Sequence, residues 1–316
     1  MHAVSAVVSH LREQMSKVIV AQTEMLDQCM LALLCRGHAL LEGVPGIAKT
    51  LTIKTLADVL RLRFQRVQAT SDLMPADILG TNVLNMATSS FALHEGPVFT
   101  DLLLVDEINR MPPRTQAALL ECMEEQQVTV DGTRHPLSAF FTVYATQNPI
   151  EFEGTYPLPE AQLDRFLLKI NVPYPTAEEE TQILSRFQQG FDPRNLGTID
   201  FQPLDPSLLS QAREEVRTGI RVEPGLLDYI VRIVRSTRES LALSLGASPR
   251  AAVFLMQTAK ATAAIDGRDY VIPDDVKSAA IPVLRHRLVL KPEAELEGLT
   301  PDQVLQDLLR SIEVPQ

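Results

Sequence analysis

The sequence predicts an α/β fold: a doubly wound domain with a parallel sheet between helices, followed by a smaller all-helical domain. Three observations carry that reading. From about residue 37 to 172, short apolar runs alternate with amphipathic helical stretches. A glycine-containing loop, Gly43-Val44-Pro45-Gly46-Ile47-Ala48-Lys49-Thr50, joins the first run to a helix-like stretch. From Ser207 onward the pattern is helical, with proline near the start of three stretches.

Each element has its own justification. Val4, Val7, Val8 and Leu11 beside His10, Arg12 and Glu13 predict an amphipathic N-terminal helix rather than a signal peptide. The strand-like runs are Ala39–Leu41, Arg63–Val67, Leu102–Val105, Phe140–Ala145 and Phe166–Val172. They are nearly continuous in Val, Leu, Phe or Ile, as parallel strands covered on both faces require. Ligands of such sheets bind at the carboxyl ends of the strands. Pro173-Tyr174-Pro175 breaks the alternation, and Thr176 is placed to cap a helix over Ala177–Phe187. The Gly/Pro/Asn-rich stretch Gly190–Pro206 predicts a linker. Helices are predicted at Leu208–Val216, Pro224–Arg238, Pro249–Ala264 and Pro273–Val289.

Bulk properties narrow the function. At 316 residues the chain exceeds the roughly 250–300 at which single cores stop growing, so two domains are expected. No apolar stretch is long enough to span a membrane. Cys29, Cys35 and Cys122 lack metal-ligand spacing and read as buried thiols of a reducing, cytoplasmic compartment. A net charge of -11 argues against a generally basic nucleic-acid-binding surface, without excluding a local basic groove.

The chemistry concentrates in three segments. In the Gly43–Thr50 loop, backbone N–H groups and a helix N-terminus can surround phosphate oxygens, with Lys49 adding charge and Thr50 a magnesium-ligating hydroxyl. Ala48 stands where the general pattern has glycine. The run Leu102–Val105 ends in Asp106 and Glu107, where Asp106 can hold magnesium and Glu107 can polarise an attacking water. Tyr144–Pro149 is a third apolar strand running into polar residues. Its Asn148 is either a ligand of the water or γ-phosphate, or a turn residue before Pro149.

Together with Asp106–Arg110, Ala145–Pro149, the string Gly154–Gln162 and Leu158–Phe166, the loop resembles the MoxR group of AAA+ ATPases over nearly the whole chain. That group commonly carries alanine before the lysine. The resemblance implies a P-loop AAA+ core over residues 1–175 and a linker with a helical lid over residues 176–316. It implies a helix-2 insert at about 75–99 and a β-hairpin at about 126–138, the latter turning at Asp131-Gly132. The implied nucleotide contacts are Val18, Ile19, Gly43, Val44, Pro45, Gly46, Ile47, Ala48, Lys49, Thr50 and Leu51, although Ala21 replaces a usual glycine. Thr50 and Asp106 are the implied metal ligands. Arg165 matches the arginine finger that reaches a neighbouring subunit's γ-phosphate; the alternative is a surface arginine paired with Asp164 or Glu160. Arg250 matches the sensor 2 arginine. His94 and His135 have no neighbouring Cys or His at metal-site spacing. The implied activity is ATP hydrolysis with Mg2+ in a homo-oligomeric ring, a hexamer, driving chaperone-like remodelling of a protein client, often with a von Willebrand factor A domain partner. An ATPase motor of a metal chelatase is the alternative, and a nucleic-acid motor a weaker one.

Overall fold

The fold follows from where the apolar runs can be buried. In the computed structural model, residues 3–20, 22–44, 46–86, 89–149, 154–193 and 195–315 are described. Helix α1 (Ala3–Ser16) buries Val4, Val7, Val8, Leu11 and Met15, one stripe at helical spacing. After α2 (Thr23–Leu34) come β1 (Ala39–Glu42), α3 (Lys49–Leu60) and β2 (Phe64–Gln68). Short α4 (Pro75–Leu79) leads into an antiparallel hairpin of β3 (Gly80–Asn85) and β4 (Ser90–Glu95). Strand β5 (Leu102–Asp106) and α5 (Pro113–Glu125) precede a second hairpin, β6 (Gln127–Val130) with β7 (Thr133–Pro136). Its two turn residues, Asp131 and Gly132, both have positive φ, as the sequence predicted for an Asp-Gly turn. Strand β8 (Thr142–Gln147), α6 (Glu160–Leu163) and β9 (Leu168–Asn171) complete the first part of the chain.

Five strands form one parallel sheet in the order β2-β5-β8-β1-β9. Alternate residues feed opposite faces: Leu102 and Leu104 join the core that includes α1 to α3, while Leu103 and Val105 join the core over α5. Because β5, β8 and β1 are neighbours, the ends of three motif-bearing strands lie side by side. The two hairpins are tied by Asn82 Nδ2, which donates to Asp131 Oδ2 at 2.8 Å. The first hairpin leaves Val83, Leu84, Met86 and Phe91 exposed. Ala87 and Thr88, in the middle of that predicted insert, lie outside the described residues.

Helix α7 (Ala177–Gln188) begins at a reciprocal cap between Thr176 and Glu179. Then follow α8 (Pro206–Glu214), α9 (Pro224–Glu239), β10 (Leu243–Leu245), α10 (Pro249–Ile265), α11 (Pro273–Leu284), β11 (Val289–Leu290), α12 (Pro292–Leu296) and α13 (Pro301–Ser311). The structure corrects one boundary and adds detail. The predicted helix Pro273–Val289 stops at Leu284, where Pro282 has removed a backbone donor from the last turn. A 3₁₀ turn, Arg285–Arg287, then leads to β11, which pairs antiparallel with β10. The C-terminal part is thus a helical domain that also carries a short two-stranded ribbon. The stretch read as a linker packs on the core through Leu196 and Leu204, which are buried, and Leu204 N–H donates to Val59 O at 2.8 Å.

His38, at the entrance to β1, staples two elements. Its Nδ1 accepts the Val143 N–H at 2.9 Å, which leaves Nε2 to donate to Met123 O at 3.1 Å. Burial, with Arg213 nearby, pushes its pKa down to about 4 from the ordinary 6.5. A group depressed in the folded state stabilises fully above its unfolded pKa, and that stability is lost as pH falls from 6.5 toward 4. The whole effect is of order 3 kcal/mol at 1.36 kcal/mol per pKa unit. Urea unfolding should therefore show a marked loss of stability between about pH 7 and 5, and His38→Gln should lose less over the same interval. Equal pH slopes in the two proteins would assign the acid sensitivity elsewhere.

Candidate nucleotide-binding site

The loop after β1 is shaped by close contacts. A Cβ added to Gly43 would lie 2.7 Å from Val172 O and 2.8 Å from Ile47 Cδ1, so only glycine fits. Ala48 takes the left-handed conformation, φ 59°, immediately before α3. An alanine bears that conformation at a cost of roughly 1–2 kcal/mol, which the surrounding fold must impose. Lys49 Nζ donates to Gly43 O at 2.6 Å. Burial lowers the Lys49 pKa, and Asp106, Glu107 and Glu42 act in the opposite direction.

A cavity of about 520 Å³ opens at the carboxyl ends of the central strands. Its floor is Gly46, Ala48, Lys49, Thr50 and Leu51, and one wall carries Asp106, Glu107, Thr146 and Asn148. Val18, Ile19 and Val20, with Ile183, Phe187 and Phe191, supply its apolar lining. Of the loop residues assigned from sequence, Gly43 and Val44 front an adjoining cleft instead, and Ile47 is buried. Pro45 and Ala21 lie outside the described residues.

Several residues of the acidic wall had no sequence assignment. Arg66 Nε donates to Asp106 Oδ2 at 2.6 Å, and Thr146 Oγ1 donates to Asp106 Oδ1 at 3.2 Å. The same Thr146 oxygen accepts the Glu107 N–H at 3.0 Å, so one hydroxyl orders both acids. Glu107 itself has φ 58°, a strained backbone of the kind found at functional sites. Its carboxylate pairs with Arg110 at 2.9 Å and accepts from Gln68 Nε2 at 3.3 Å. The signal for Gln68 is register: it stands directly beside Asp106 across β2 and β5.

Arg165 and Arg250 are not in this cavity. They line another, of about 600 Å³, with Arg36, His38, Glu124 and Phe254. Arg165 Nη2 lies 3.0 Å from Glu124 Oε2 and Arg250 Nη2 lies 2.6 Å from Glu124 Oε1, so one carboxylate serves both. Arg165 Nη1 also donates to Leu120 O at 2.7 Å. Its partner is thus Glu124, in place of the Asp164 or Glu160 considered from sequence. Among the described residues there is no cluster of three His, Cys, Asp or Glu suited to a metal, and no helix long and apolar enough to cross a membrane. His135 instead packs edge-on to Phe99, and all three cysteines are free, Cys29 and Cys122 buried.

Comparison with known proteins gives the same picture. A family model described as the ATPase family associated with various cellular activities (AAA) matches residues 38–168, and one described as an AAA lid domain matches residues 235–308. Chaperone MoxR1 of Mycobacterium tuberculosis is 42% identical over 316 residues, covering 96% of this chain and 81% of that protein. The chain belongs to the MoxR family of AAA+ ATPases. An uncharacterized protein of Bacillus subtilis is also 42% identical, covering 96% of this chain and 93% of that one. A crystal structure of a candidate ATPase from Cytophaga hutchinsonii superposes with a TM-score of 0.88 at 38% identity, covering 99% of this chain and 96% of that chain. In this MoxR-family chain the cavity opens at the carboxyl ends of β5, β8 and β1. The apolar wall from Ile183, Phe187 and Phe191 comes from α7 and the segment after it. Phe187 and Phe191 stack edge to face, 5.8 Å apart.

Proposed function

We propose that this MoxR-family chain hydrolyses Mg2+-bound ATP as a homo-oligomeric ring, a hexamer, in the cytoplasm. The cycle remodels or matures a partner protein, as the chaperone name of the mycobacterial relative suggests. Residues 1–175 act as the nucleotide-binding unit and residues 176–316 as linker and lid. One observation carries the reading: the cavity holding Lys49, Thr50, Asp106, Glu107 and Asn148 contains neither Arg165 nor Arg250. Arg66 and Arg186 line the cleft, but Arg66 is spent on Asp106, and a cleft with its phosphate floor and acids but without Arg165 and Arg250 fits a site shared between subunits.

The residues fit a magnesium nucleotide. The Thr50 hydroxyl and the Asp106 carboxylate are hard oxygen donors facing one cavity, the donor chemistry that magnesium prefers. Bound there, the ion would neutralise charge on the β- and γ-phosphate oxygens. Lys49 and the loop N–H groups hold phosphates, and the apolar lining receives the base. Glu107 takes a proton from the attacking water, which Asn148 orients. Arg165 and Arg250 of the adjoining copy supply positive charge to the transferring phosphoryl group. The exposed apolar edge of the first hairpin, Val83, Leu84, Met86 and Phe91, suits contact with a protein client or a von Willebrand factor A domain partner.

Specific ATPase activity should therefore rise with protein concentration across the range in which sedimentation shows rings assembling. A flat profile through dilutions at which only single copies sediment would establish a self-sufficient monomer and sink the shared-site reading.

A further inference from the structure

Asp164 precedes Arg165 and has no task in the reading above. Its carboxylate is gripped from the C-terminal part of the chain by Ser248 and Arg287, with Arg250 Nη1 a looser third partner 4.0 Å from Oδ2. The Ser248 hydroxyl lies 3.1 Å from Oδ1 and 3.0 Å from Oδ2, and Arg287 Nε donates to Oδ1 at 2.7 Å. Arg287 belongs to the 3₁₀ turn after α11, and its side chain is 1% exposed. It also donates through Nη2 to the carbonyls of Asp164, at 3.0 Å, and of Phe166, and through Nη1 to Val283 O. Its guanidinium lies 5.1 Å from the Phe254 ring centre. A guanidinium buried this deeply is costly unless its charge and its fork of donors are matched, and here both are.

The second gripping residue is itself fixed. Ser248 is the N-cap of α10, accepting the Ala251 N–H at 3.3 Å, and Arg250 stands two residues further on. The loop before it cannot drift. A Cβ on Gly246 would fall 2.7 Å from the Arg238 backbone, while Ala247 N–H donates to Thr237 Oγ1 at 3.0 Å and its carbonyl accepts Arg238 Nε at 2.8 Å. The contacts close into a circuit: Arg287 and Ser248 to Asp164, Asp164 to Arg165 along the chain, Arg165 to Glu124, Glu124 to Arg250, and Arg250 back to Ser248 along α10.

We propose that Arg287 is a positioning residue for Arg165 and Arg250. Through Asp164 it locks the aim of both guanidiniums to the placement of the C-terminal helices. Movement of α10 and of the turn after α11, neither of which lines the subunit's own cleft, then changes how a subunit serves its neighbour. The inference rests on the reading that Arg165 acts on an adjoining copy's site.

The test is subunit mixing. Arg287→Gln should bind a fluorescent ATP analogue within about twofold of the parent, yet hydrolyse ATP about 10- to 100-fold more slowly, the scale of a misplacement near 1 Å. Mixed with Glu107→Gln, which keeps its arginines, it should regain activity; mixed with Arg165→Ala it should not. A merely structural defect would not sort donors from acceptors in this way. The inference falls if Glu107→Gln rescues Arg165→Ala but not Arg287→Gln, or if Arg165→Ala rescues Arg287→Gln. Should Glu107→Gln fail to rescue even Arg165→Ala, the shared-site reading fails and takes this inference with it. Ser248→Ala, which leaves the Arg287–Asp164 ion pair in place, is the companion should Arg287→Gln not assemble. It should show a smaller loss of the same rescuable kind, and unaltered hydrolysis would overturn the proposal.

Discussion

Glu107→Gln should bind ATP as the parent does and lose about 10²- to 10⁴-fold in hydrolysis, the range for removal of a general base. The expectation is sharp because the backbone of Glu107 is held independently of its charge. Its N–H is fixed on Thr146, and Gln68 and Arg110 set the direction of the carboxylate. Glutamine keeps the length and an acceptor oxygen but cannot take the proton. Phosphate release in a single turnover, measured beside nucleotide binding, separates the two effects. Undiminished release would remove Glu107 from the base role. The trapped variant is also the best bait for the client, since its ATP state persists.

Arg165→Ala should leave nucleotide binding intact and reduce hydrolysis by about 10³- to 10⁵-fold, the range for arginine fingers. Stability is not the competing explanation. Arg165 is 31% exposed and its partner Glu124 is 36% exposed, so their ion pair contributes only about 0–1 kcal/mol, and the hydrogen bond to Leu120 O adds roughly 0.5–1.5 kcal/mol. The variant should accordingly melt close to the parent. An equal mixture with Glu107→Gln places an intact Arg165 beside an intact Glu107 at some interfaces, so activity should return. Mixed rings that stay inactive would argue against action on a neighbour.

The sheet and its three motifs were legible because a fully buried parallel strand is a local statement: four or five apolar residues in a row, then polar ones. Leu102–Asp106 and Tyr144–Asn148 need no partner to be read. Arg66, Gln68 and Thr146 escaped because their tasks exist only across strands, where β2, β5 and β8 meet in register. Arg287 and Asp164 are 123 residues apart, and no spacing rule joins them. The strands β10 and β11 were missed for another reason: three residues and two cannot display a period.

Keeping the cleft on one cavity and the paired arginines on another has a consequence in the arithmetic of ends. If Arg165 and Arg250 serve the adjoining copy's cleft, as proposed, copies that join head to tail form an array in which each junction makes one working site. An open array therefore has one fewer working site than it has copies, with an unused cleft at one end and an idle Glu124 cluster at the other. Closing the circle adds a site without adding a molecule. Turnover per copy should then step upward at closure, and kinetics alone would distinguish a broken circle from a complete one of equal mass.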